Sequence, residues 1–185
     1  MKCIHIITPV KDSIELTLQT VDAIMASDFK TPFTYTIYND FSTEENTARL
    51  QEASARLGFE LVNLADITNH PSPNYLQVLQ MAQERAVAEE AVLIIVESDV
   101  VVKNNTLQAL FDGALERGDC GIAAAVTVDE KGEINYPYLF AKGRENQVFP
   151  EKKHCSFCCS LLTLKFLRSF DFHQLDPEKN WHDVT

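Results

Sequence analysis

Short apolar segments alternate along the chain with segments in which apolar residues recur at helical spacing. The most apolar segment covers residues 91–96 and continues through Glu97, Ser98 and Asp99 into a second apolar stretch at 100–102. A run this short between two helical segments is typical of a strand buried on both faces of a parallel sheet. The pattern therefore predicts a strand over 91–102, with two acidic residues towards its carboxyl end.

The same pattern predicts the order of the other elements. The Asp12-Ser13 pair is expected to cap a helix that reaches residue 25, and Gly58 is expected to stop a helix over 44–57. Thr8-Pro9 is expected to end the first strand. Further strands are predicted at 3–8, 35–38, 59–64, 120–128 and 157–164, a hairpin turn at 129–133, and further helices at 75–88, from 104 to about 117, and through Phe170. This alternation predicts an α/β fold with helices on both faces of one sheet.

Length and charge narrow the class of protein. At 185 residues, with 45% hydrophobic and 23% charged residues, the chain is expected to form a single domain over residues 1–185 with one sizeable core. The net charge of −11 argues against a nucleic-acid partner, which normally meets a basic surface. A phosphate-bearing ligand would need a metal ion or helix N-termini to offset this charge.

The N-terminus and the cysteines indicate the compartment. The apolar run after Met1 ends at Pro9, which is too short for a signal peptide or a membrane span. Five cysteines without framework spacing fit free thiols in a reducing compartment, so a cytoplasmic protein is predicted. We interpret Cys155, Cys158 and Cys159 as small apolar side chains, because a structural zinc site normally needs a second ligand pair.

The two acids at 97 and 99 are the first candidates for chemistry. Alternation along a strand would point Glu97 and Asp99 to the same face, where they could hold Mg²⁺ or Mn²⁺ carrying a diphosphate. The alternative is a solvated strand end without a ligand. Right-handed crossovers would bring the loops after the first, second and fourth strands to one edge of the sheet, so Thr8 and Asp40 are expected to converge on this pair.

Several motifs occur in a familiar order. Residues 6–10 read Ile-Ile-Thr-Pro-Val, residues 37–43 read Ile-Tyr-Asn-Asp-Phe-Ser-Thr, and residues 96–99 read Val-Glu-Ser-Asp. Phe-Asp-Phe follows at 170–172 and Trp-His-Asp-Val at 181–184. Together they resemble the nucleotide-binding half of the family 2 inverting glycosyltransferases. The resemblance implies the GT-A fold, a three-layer α/β/α sandwich with a mostly parallel central sheet.

The resemblance also implies roles for the donor site. Thr8 and Pro9 would pass along the nucleotide, and Asp40 would accept a hydrogen bond from the imide N–H of uracil. The alternative role for Asp40 is that of an Asx-turn or helix-cap residue, which the following Ser42 and Thr43 favour. Asp99 would be the ligand of a divalent cation, Mn²⁺ or Mg²⁺. Glu97, which stands where many relatives have aspartate, would contact the ribose or a metal-bound water.

The same resemblance implies the reaction. Asp183 would remove the proton from an acceptor hydroxyl, with His182 beside it in the place of the family's usual acid. The donor would be a UDP-sugar and the acceptor an unknown glycan or lipid-linked sugar, as in polysaccharide biosynthesis. Such a protein would be cytoplasmic or peripheral to the membrane, without a transmembrane segment in this chain.

Two departures from the family pattern leave other functions open. The segment 69–75 lacks the arginine that relatives use at the diphosphate, and the sequence stops at Thr185, so C-terminal acceptor-side elements are expected to be lacking. A non-catalytic nucleotide-sugar-binding module, or a degenerate partner of a glycosyltransferase, is the alternative. A sugar-phosphate nucleotidyltransferase would need a glycine-rich basic loop after the first strand, where Lys11 is the one basic residue.

Overall fold

The computed structural model describes residues 3–144, 147–152 and 155–176. Within these ranges strands and helices alternate as far as residue 124, as the hydrophobic pattern predicts. The elements in chain order are β1 (Ile4–Val10), α1 (Ile14–Met25), β2 (Thr34–Asn39), α2 (Glu44–Leu57), β3 (Glu60–Asn63), α3 (Tyr75–Ala88), β4 (Val92–Val96), α4 (Thr106–Glu116), β5 (Ile122–Ala124), β6 (Cys159–Leu162) and α5 (Leu164–Ser169). Short 3₁₀ turns lie at Leu64–Asp66, Tyr138–Ala141 and Phe172–Gln174.

The strands form a six-stranded, mostly parallel sheet in the order β3-β2-β1-β4-β6-β5. β1 pairs in parallel with β2 and β4, and β2 pairs in parallel with β3. β6 lies antiparallel between β4 and β5. Parallel order in the first four strands brings the carboxyl ends of β1, β2 and β4 to one edge, which we call the carboxyl edge. The opposite edge, where these strands begin, is called the amino edge.

A hydrophobic core lies on each face of the sheet. On one face, side chains of alternate strand residues such as Ile6, Ile37 and Ile94 pack against α1, α2 and α4. On the other face, residues such as Ile7 and Ile95 pack against α3, α5 and the turn that holds Phe172. Both faces of the central strands are therefore buried, as expected for a parallel sheet between two helical layers. The predicted three-layer α/β/α sandwich is confirmed.

Local signals at the helix ends are confirmed in part. The predicted bounds of α2 and α3 agree with the structure: Thr43 Oγ1 caps α2 by accepting from the Asn46 N–H at 3.2 Å, and Gly58 ends it at φ 79°. The side-chain cap predicted for α1 is wrong. Ser13 is the N-cap but its side chain makes no capping bond.

Several predicted strands differ from the observed ones, and the strand predicted at 157–164 is shortened to Cys159–Leu162. β1 runs through Pro9 to Val10, because beyond Ile7 it pairs with β2 alone and the missing N–H of Pro9 interrupts no ladder with β4. The segment 91–102 is a strand only as far as Val96, and the 120–128 segment only over Ile122–Ala124. At the predicted hairpin, the structure has a single antiparallel bridge between Val128 and Ile134 in place of two paired strands.

In the ranges that the structure describes, no helix is both long and apolar enough to cross a membrane.

Candidate functional site

The candidate site lies at the carboxyl edge, where the loops after β1, β2 and β4 meet. Val10 and Asn39 are register partners at the ends of β1 and β2, and the Asp40 N–H donates to the Val10 carbonyl at 2.7 Å. β4 ends at Val96, one residue beyond the partner of Ile7 in β1. The topology therefore brings Asp40 and the Glu97–Asp99 segment to the same edge, as the crossover argument predicts.

Asp40 is held in place by the loop that precedes α3. Its Oδ2 accepts from the Ser72 hydroxyl at 2.7 Å and from the Asn74 N–H at 2.8 Å, and its Oδ1 accepts from the Asn74 side-chain amide at 2.7 Å. The side chain is buried, with 7% of the residue's surface exposed. Three donors fill three of about four acceptor positions on a carboxylate. Asp40 is therefore the anchor of the loop 69–74 and retains one acceptor position on Oδ1.

Asn74 connects Asp40 to the rest of the loop through hydrogen bonds with His70. It is itself buried, its amide also donates to the His70 carbonyl at 3.1 Å, and its Oδ1 lies 3.1 Å from His70 Nδ1. The proline-rich segment, which pattern alone marks only as irregular, thus has a defined conformation fixed by one carboxylate. It forms a wall beside the ends of β1 and β2.

Glu97 begins a turn instead of continuing β4. The Val100 N–H donates to the Glu97 carbonyl at 3.1 Å, and Ser98 and Asp99 form the turn between them. On the α1 side, the Thr20 hydroxyl donates to the Ser98 carbonyl at 3.1 Å. The strand alternation used to predict a shared face for Glu97 and Asp99 is therefore wrong, because the backbone is not extended there. A turn nevertheless keeps the two carboxylates near each other.

The two acids of this turn have different surroundings. Burial raises the pKa of Glu97, and the charge of Asp99 adds to the rise, whereas a hydrogen bond from Cys158 opposes it. Asp99 is exposed at the surface of the turn. An exposed carboxylate beside a half-buried one offers oxygen ligands that a cation can reach from solvent.

Cys158 is a member of the site that the sequence interpretation missed. Its carbonyl accepts the Glu97 N–H at 2.9 Å, and its Sγ lies 2.8 Å from Ser156 Oγ and bonds to the Glu97 side chain. Burial, together with the charge of Glu97, raises the pKa of the Cys158 thiol to about 11, so the thiol donates as S–H. The Cys-x-x-Cys spacing was the available signal. Its apolar interpretation suits Cys159, which is buried in β6, and not Cys158.

Thr8 and Pro9 lie below the edge of the sheet. Thr8 is fully buried, and its Oγ1 lies 2.9 Å from the Tyr35 hydroxyl, whose pKa burial raises. Pro9 is half-buried beside Tyr38, its register partner in β2. The structure therefore brings Asp40, Glu97 and Asp99 to one edge but leaves the Thr8 hydroxyl in the core between β1 and β2.

Asp12 was predicted as part of a helix cap, but it joins two loops of the edge. Its Oδ1 accepts from the Thr43 N–H at 2.8 Å and from the Asn46 amide at 3.0 Å, and its own N–H donates to Ser42 Oγ at 2.8 Å. The Thr43 bond is the main reason that the pKa of Asp12 is lowered. The loop after β1 is thus fixed to the start of α2.

The C-terminal motifs divide between described and undescribed residues. Phe172 is buried against α3, and its N–H donates to Gln83 Oε1 at 2.9 Å, while the Gln83 amide donates to the carbonyls of Leu167 and Phe170. The Phe-Asp-Phe segment is therefore attached to the helix that follows the loop 69–74. Asp183, His182 and the rest of their motif lie outside the described residues.

The donor set at the edge suits a hard divalent cation. Within the described ranges, the acids that form ion pairs include Glu15, Glu60, Glu84, Glu89, Glu90 and Asp171. Asp40, Glu97 and Asp99 are not among them, and Ser72, Asn74 and Cys158, which donate to Asp40 and Glu97, are neutral. Carboxylate oxygens without a cationic partner, open to solvent at Asp99, fit Mg²⁺ or Mn²⁺.

Comparison with known proteins gives a likeness of structure. Neither a protein-family model nor a curated protein matches the chain. The structure of residues 1–349 of S. aureus TarS in complex with UDP-GlcNAc is similar, at 20% identity and a TM-score of 0.50, over 63% of this chain and 32% of that one. A mannosyltransferase from Pyrobaculum calidifontis in complex with GDP-Man and Mn²⁺ matches at 18% identity, a TM-score of 0.49, and 68% and 35% coverage.

The likeness to the TarS structure identifies the fold. The chain has the GT-A fold of nucleotide-sugar transferases, and the aligned part spans about a third of the length of the TarS structure.

Proposed function

We propose that the protein is a metal-dependent glycosyltransferase of the inverting, family 2 type. It would transfer a sugar from a nucleotide-diphosphate donor, a UDP-sugar, to the hydroxyl group of an acceptor. The observation that carries the proposal is the carboxyl edge itself, where Asp40, Glu97 and Asp99 meet without a cationic partner among the described residues. The ligand-binding region of an open α/β sheet is this edge.

Asp99 and Glu97 are the residues that would hold the divalent cation. Asp99 would bind it directly, and Glu97 would contact the donor ribose or a water on the cation. When bound, Mn²⁺ or Mg²⁺ offsets the charge that develops on the departing diphosphate. The turn at 97–100 would position both carboxylates, because two hydrogen bonds fix its backbone. The Ser98 carbonyl accepts from the Thr20 hydroxyl of α1, and the Glu97 carbonyl accepts from the Val100 N–H.

Asp40 and the loop 69–74 would form the wall against the nucleotide. The remaining acceptor position on Asp40 Oδ1 matches the imide N–H of uracil, and would repel cytosine, which presents an acceptor at the same ring position. Pro9, near the end of β1, would pass along the nucleotide, and the buried Thr8 would hold β1 to β2 through the Tyr35 hydroxyl. We therefore expect UDP to bind more tightly than CDP, and Asp40→Asn to reduce that preference.

Asp183 would be the catalytic base. Its carboxylate takes the proton from the acceptor hydroxyl while the hydroxyl oxygen attacks the anomeric carbon. The bond from that carbon to the diphosphate oxygen breaks, the nucleoside diphosphate leaves with the electron pair, and the configuration inverts. His182 would orient Asp183. The acceptor would be a glycan or a lipid-linked sugar, as in polysaccharide biosynthesis at the cytoplasmic side of a membrane.

Calorimetry with UDP and Mn²⁺ tests the donor site. We expect metal-dependent UDP binding, weakened about tenfold or more by Asp99→Ala, which corresponds to about 1.4 kcal/mol. Asp112→Ala is the matched control, because Asp112 is an equally exposed aspartate on α4 and lies outside the carboxyl edge. UDP binding that needs no metal, or that Asp99→Ala and Asp112→Ala leave equally strong, contradicts the proposal.

Turnover with a UDP-sugar tests the base. Asp183→Asn is expected to lower kcat by about 100-fold or more, the usual contribution of a general base, while UDP binding stays the same. UDP binding by the unaltered protein without transfer or donor hydrolysis would instead support a non-catalytic binding module.

A further inference from the structure

A second cluster of ligating side chains lies at the amino edge, opposite the candidate donor site. Cys3 directly precedes β1, His5 is in β1, and Glu89 follows α3 just before β4. A thiol sulfur, an imidazole nitrogen and a carboxylate oxygen from these residues all lie within 4.8 Å of one another. The cluster thus joins three chemically different ligands from two distant parts of the chain.

The distances are close to those of a tetrahedral metal centre. His5 Nε2 is 3.0 Å from Glu89 Oε2 and 4.0 Å from Cys3 Sγ. Zinc bonds of about 2.0 Å to nitrogen or oxygen and about 2.3 Å to sulfur place such ligand atoms about 3.3 to 3.6 Å apart. Shifts of a few tenths of an ångström on each side therefore admit the ion. Glu89, with 44% of its side chain exposed, opens the cluster to solvent.

Neighbouring residues orient the imidazole and the carboxylate. His5 Nδ1 lies 2.6 Å from Thr34 Oγ1, so the ring presents Nε2 to Cys3 and Glu89. Arg85 Nε donates to Glu89 Oε1 at 3.2 Å, which directs the other carboxylate oxygen at His5. Outer hydrogen bonds of this kind fix the tautomer and direction of ligands in zinc sites.

The charge of the cluster matches a divalent cation. A Cys3 thiolate and the Glu89 and Glu60 carboxylates carry three negative charges. Arg85, which pairs with Glu60 at 2.5 Å, contributes one positive charge. The remaining charge of −2 is balanced by one divalent ion, and thiolate and imidazole ligands favour zinc over magnesium or manganese.

We propose that Cys3, His5 and Glu89 form a zinc site that joins the start of β1 to the end of α3, with a fourth position open to water. The site is separate from the proposed donor site and does not depend on the glycosyltransferase function. Without an ion, the His5 Nε2–H simply donates to Glu89, and the cluster is a buried histidine with a carboxylate partner. Metal binding distinguishes the two states.

The experiment is a titration of the metal-stripped protein with Zn²⁺ against a chromophoric chelator, repeated with Co²⁺ to detect a thiolate charge-transfer band. We expect one tight zinc ion for each chain and a thiolate–cobalt band. Cys3→Ser and Glu89→Gln should each weaken zinc binding about tenfold or more, as removal of a zinc-site partner typically does. Cys3→Ser should also abolish the band.

Two controls match these variants. Glu90→Gln changes the neighbouring exposed glutamate, and Cys120→Ser changes another half-buried cysteine; neither should alter zinc affinity. Asp99→Ala should leave zinc binding unchanged, which separates this site from the donor site. If Cys3→Ser does not fold, the surface variant Glu89→Gln decides the question. Zinc binding that Glu89→Gln leaves unchanged, or a cobalt complex of the unaltered protein without a thiolate band, overturns the proposal.

Discussion

The acidic residues at the two edges of the sheet have different kinds of partner. At the carboxyl edge, Asp12 and Asp40 are held by hydroxyl, amide and backbone N–H donors, all of them neutral. At the amino edge, Glu60 and Glu89 are held by the guanidinium group of Arg85, and Glu89 also by His5. The acids of the amino edge are therefore paired with a cationic side chain, whereas those of the carboxyl edge are held by neutral donors and keep their full charge.

The difference follows from the direction of the elements. α3 runs back along the sheet, so its last turn delivers Arg85 to the amino ends of β2 and β3, where Thr36 and Glu60 are register partners. The carboxyl edge receives loops rich in Asn, Ser and Thr, whose side chains and N–H groups fix a carboxylate without neutralising it. The metal–diphosphate ligand proposed above would need carboxylates of this kind, whose charge is not already paired within the protein.

The largest effect is expected from removing the anchor of the carboxyl edge. Asp40→Ala leaves Ser72 and two donors of the buried Asn74 without their acceptor, so it should lower the free energy of unfolding by about 3 kcal/mol. Urea unfolding measures the change. Because the bonds are buried, the loss should be nearly the same in low and high salt.

A partial version of this change is the control for Asp40. Ser72→Ala removes one of the three donors and should cost about 1 kcal/mol. Equal losses from Asp40→Ala and Ser72→Ala would show that Asn74 does not depend on the carboxylate. Asp40 would then be free to serve the nucleotide alone.

A smaller effect is expected at the amino edge. Glu60→Gln removes the negative charge that pairs with Arg85, but the Glu60 and Arg85 side chains are 49% and 32% exposed, so solvent screens the pair and the cost should be about 0.5–1 kcal/mol. High salt should reduce it further. A cost that is independent of salt would mean that the Thr36 hydrogen bond to Glu60, not the ion pair, carries the stabilisation.

The smallest expected effect is the pH dependence of stability, whose sign should differ between an acid of the amino edge, Glu60, and an acid of the carboxyl edge, Glu97. The hydrogen bond from Arg85 lowers the pKa of Glu60, so its contribution to stability is present above pH 4.5 and is lost as pH falls through the lowered pKa. Burial raises the pKa of Glu97, so its charged form costs stability as pH rises from 4.5 through the raised pKa.

Glu60→Gln and Glu97→Gln therefore form a matched pair. At pH 7, without metal or nucleotide, the first should lower and the second should slightly raise the midpoint of thermal unfolding relative to the unaltered protein. Below both pKa values of each residue the two differences should fade. The same sign for both variants at pH 7 would refute the contrast between the edges.

Much of the fold follows from local sequence. The predicted bounds of α2 and α3 are confirmed because helical periodicity, the Thr43 cap and Gly58 act within a few residues. The presence of the central strands β1 and β4 is confirmed because their apolar runs are continuous, but their carboxyl ends differ from the predicted ones. The GT-A fold implied by the family resemblance is also confirmed.

Of the candidate site, only the position of its acidic residues could be predicted from the sequence. Position after a strand end was enough to place Asp40, Glu97 and Asp99 at one edge, but not to show what surrounds them. Nothing in the local pattern indicates that Asp40 anchors the loop 69–74, that Cys158 bonds to Glu97, or that the turn at 97–100 ends β4 early. Each of these depends on a segment more than 30 residues away, or on the pairing that such a segment imposes.

By itself, the sequence determined the alternation of strands and helices, because burial on two faces or on one stripe is written in the spacing of apolar residues. The sequence also determined that acidic residues come directly after the ends of β2 and β4. Only the tertiary structure decided that β6 lies antiparallel between β4 and β5, which partner each acid has, and that Cys3 and His5 meet Glu89. These outcomes depend on the path of the chain, and residues far apart in sequence become neighbours only when the whole core has packed.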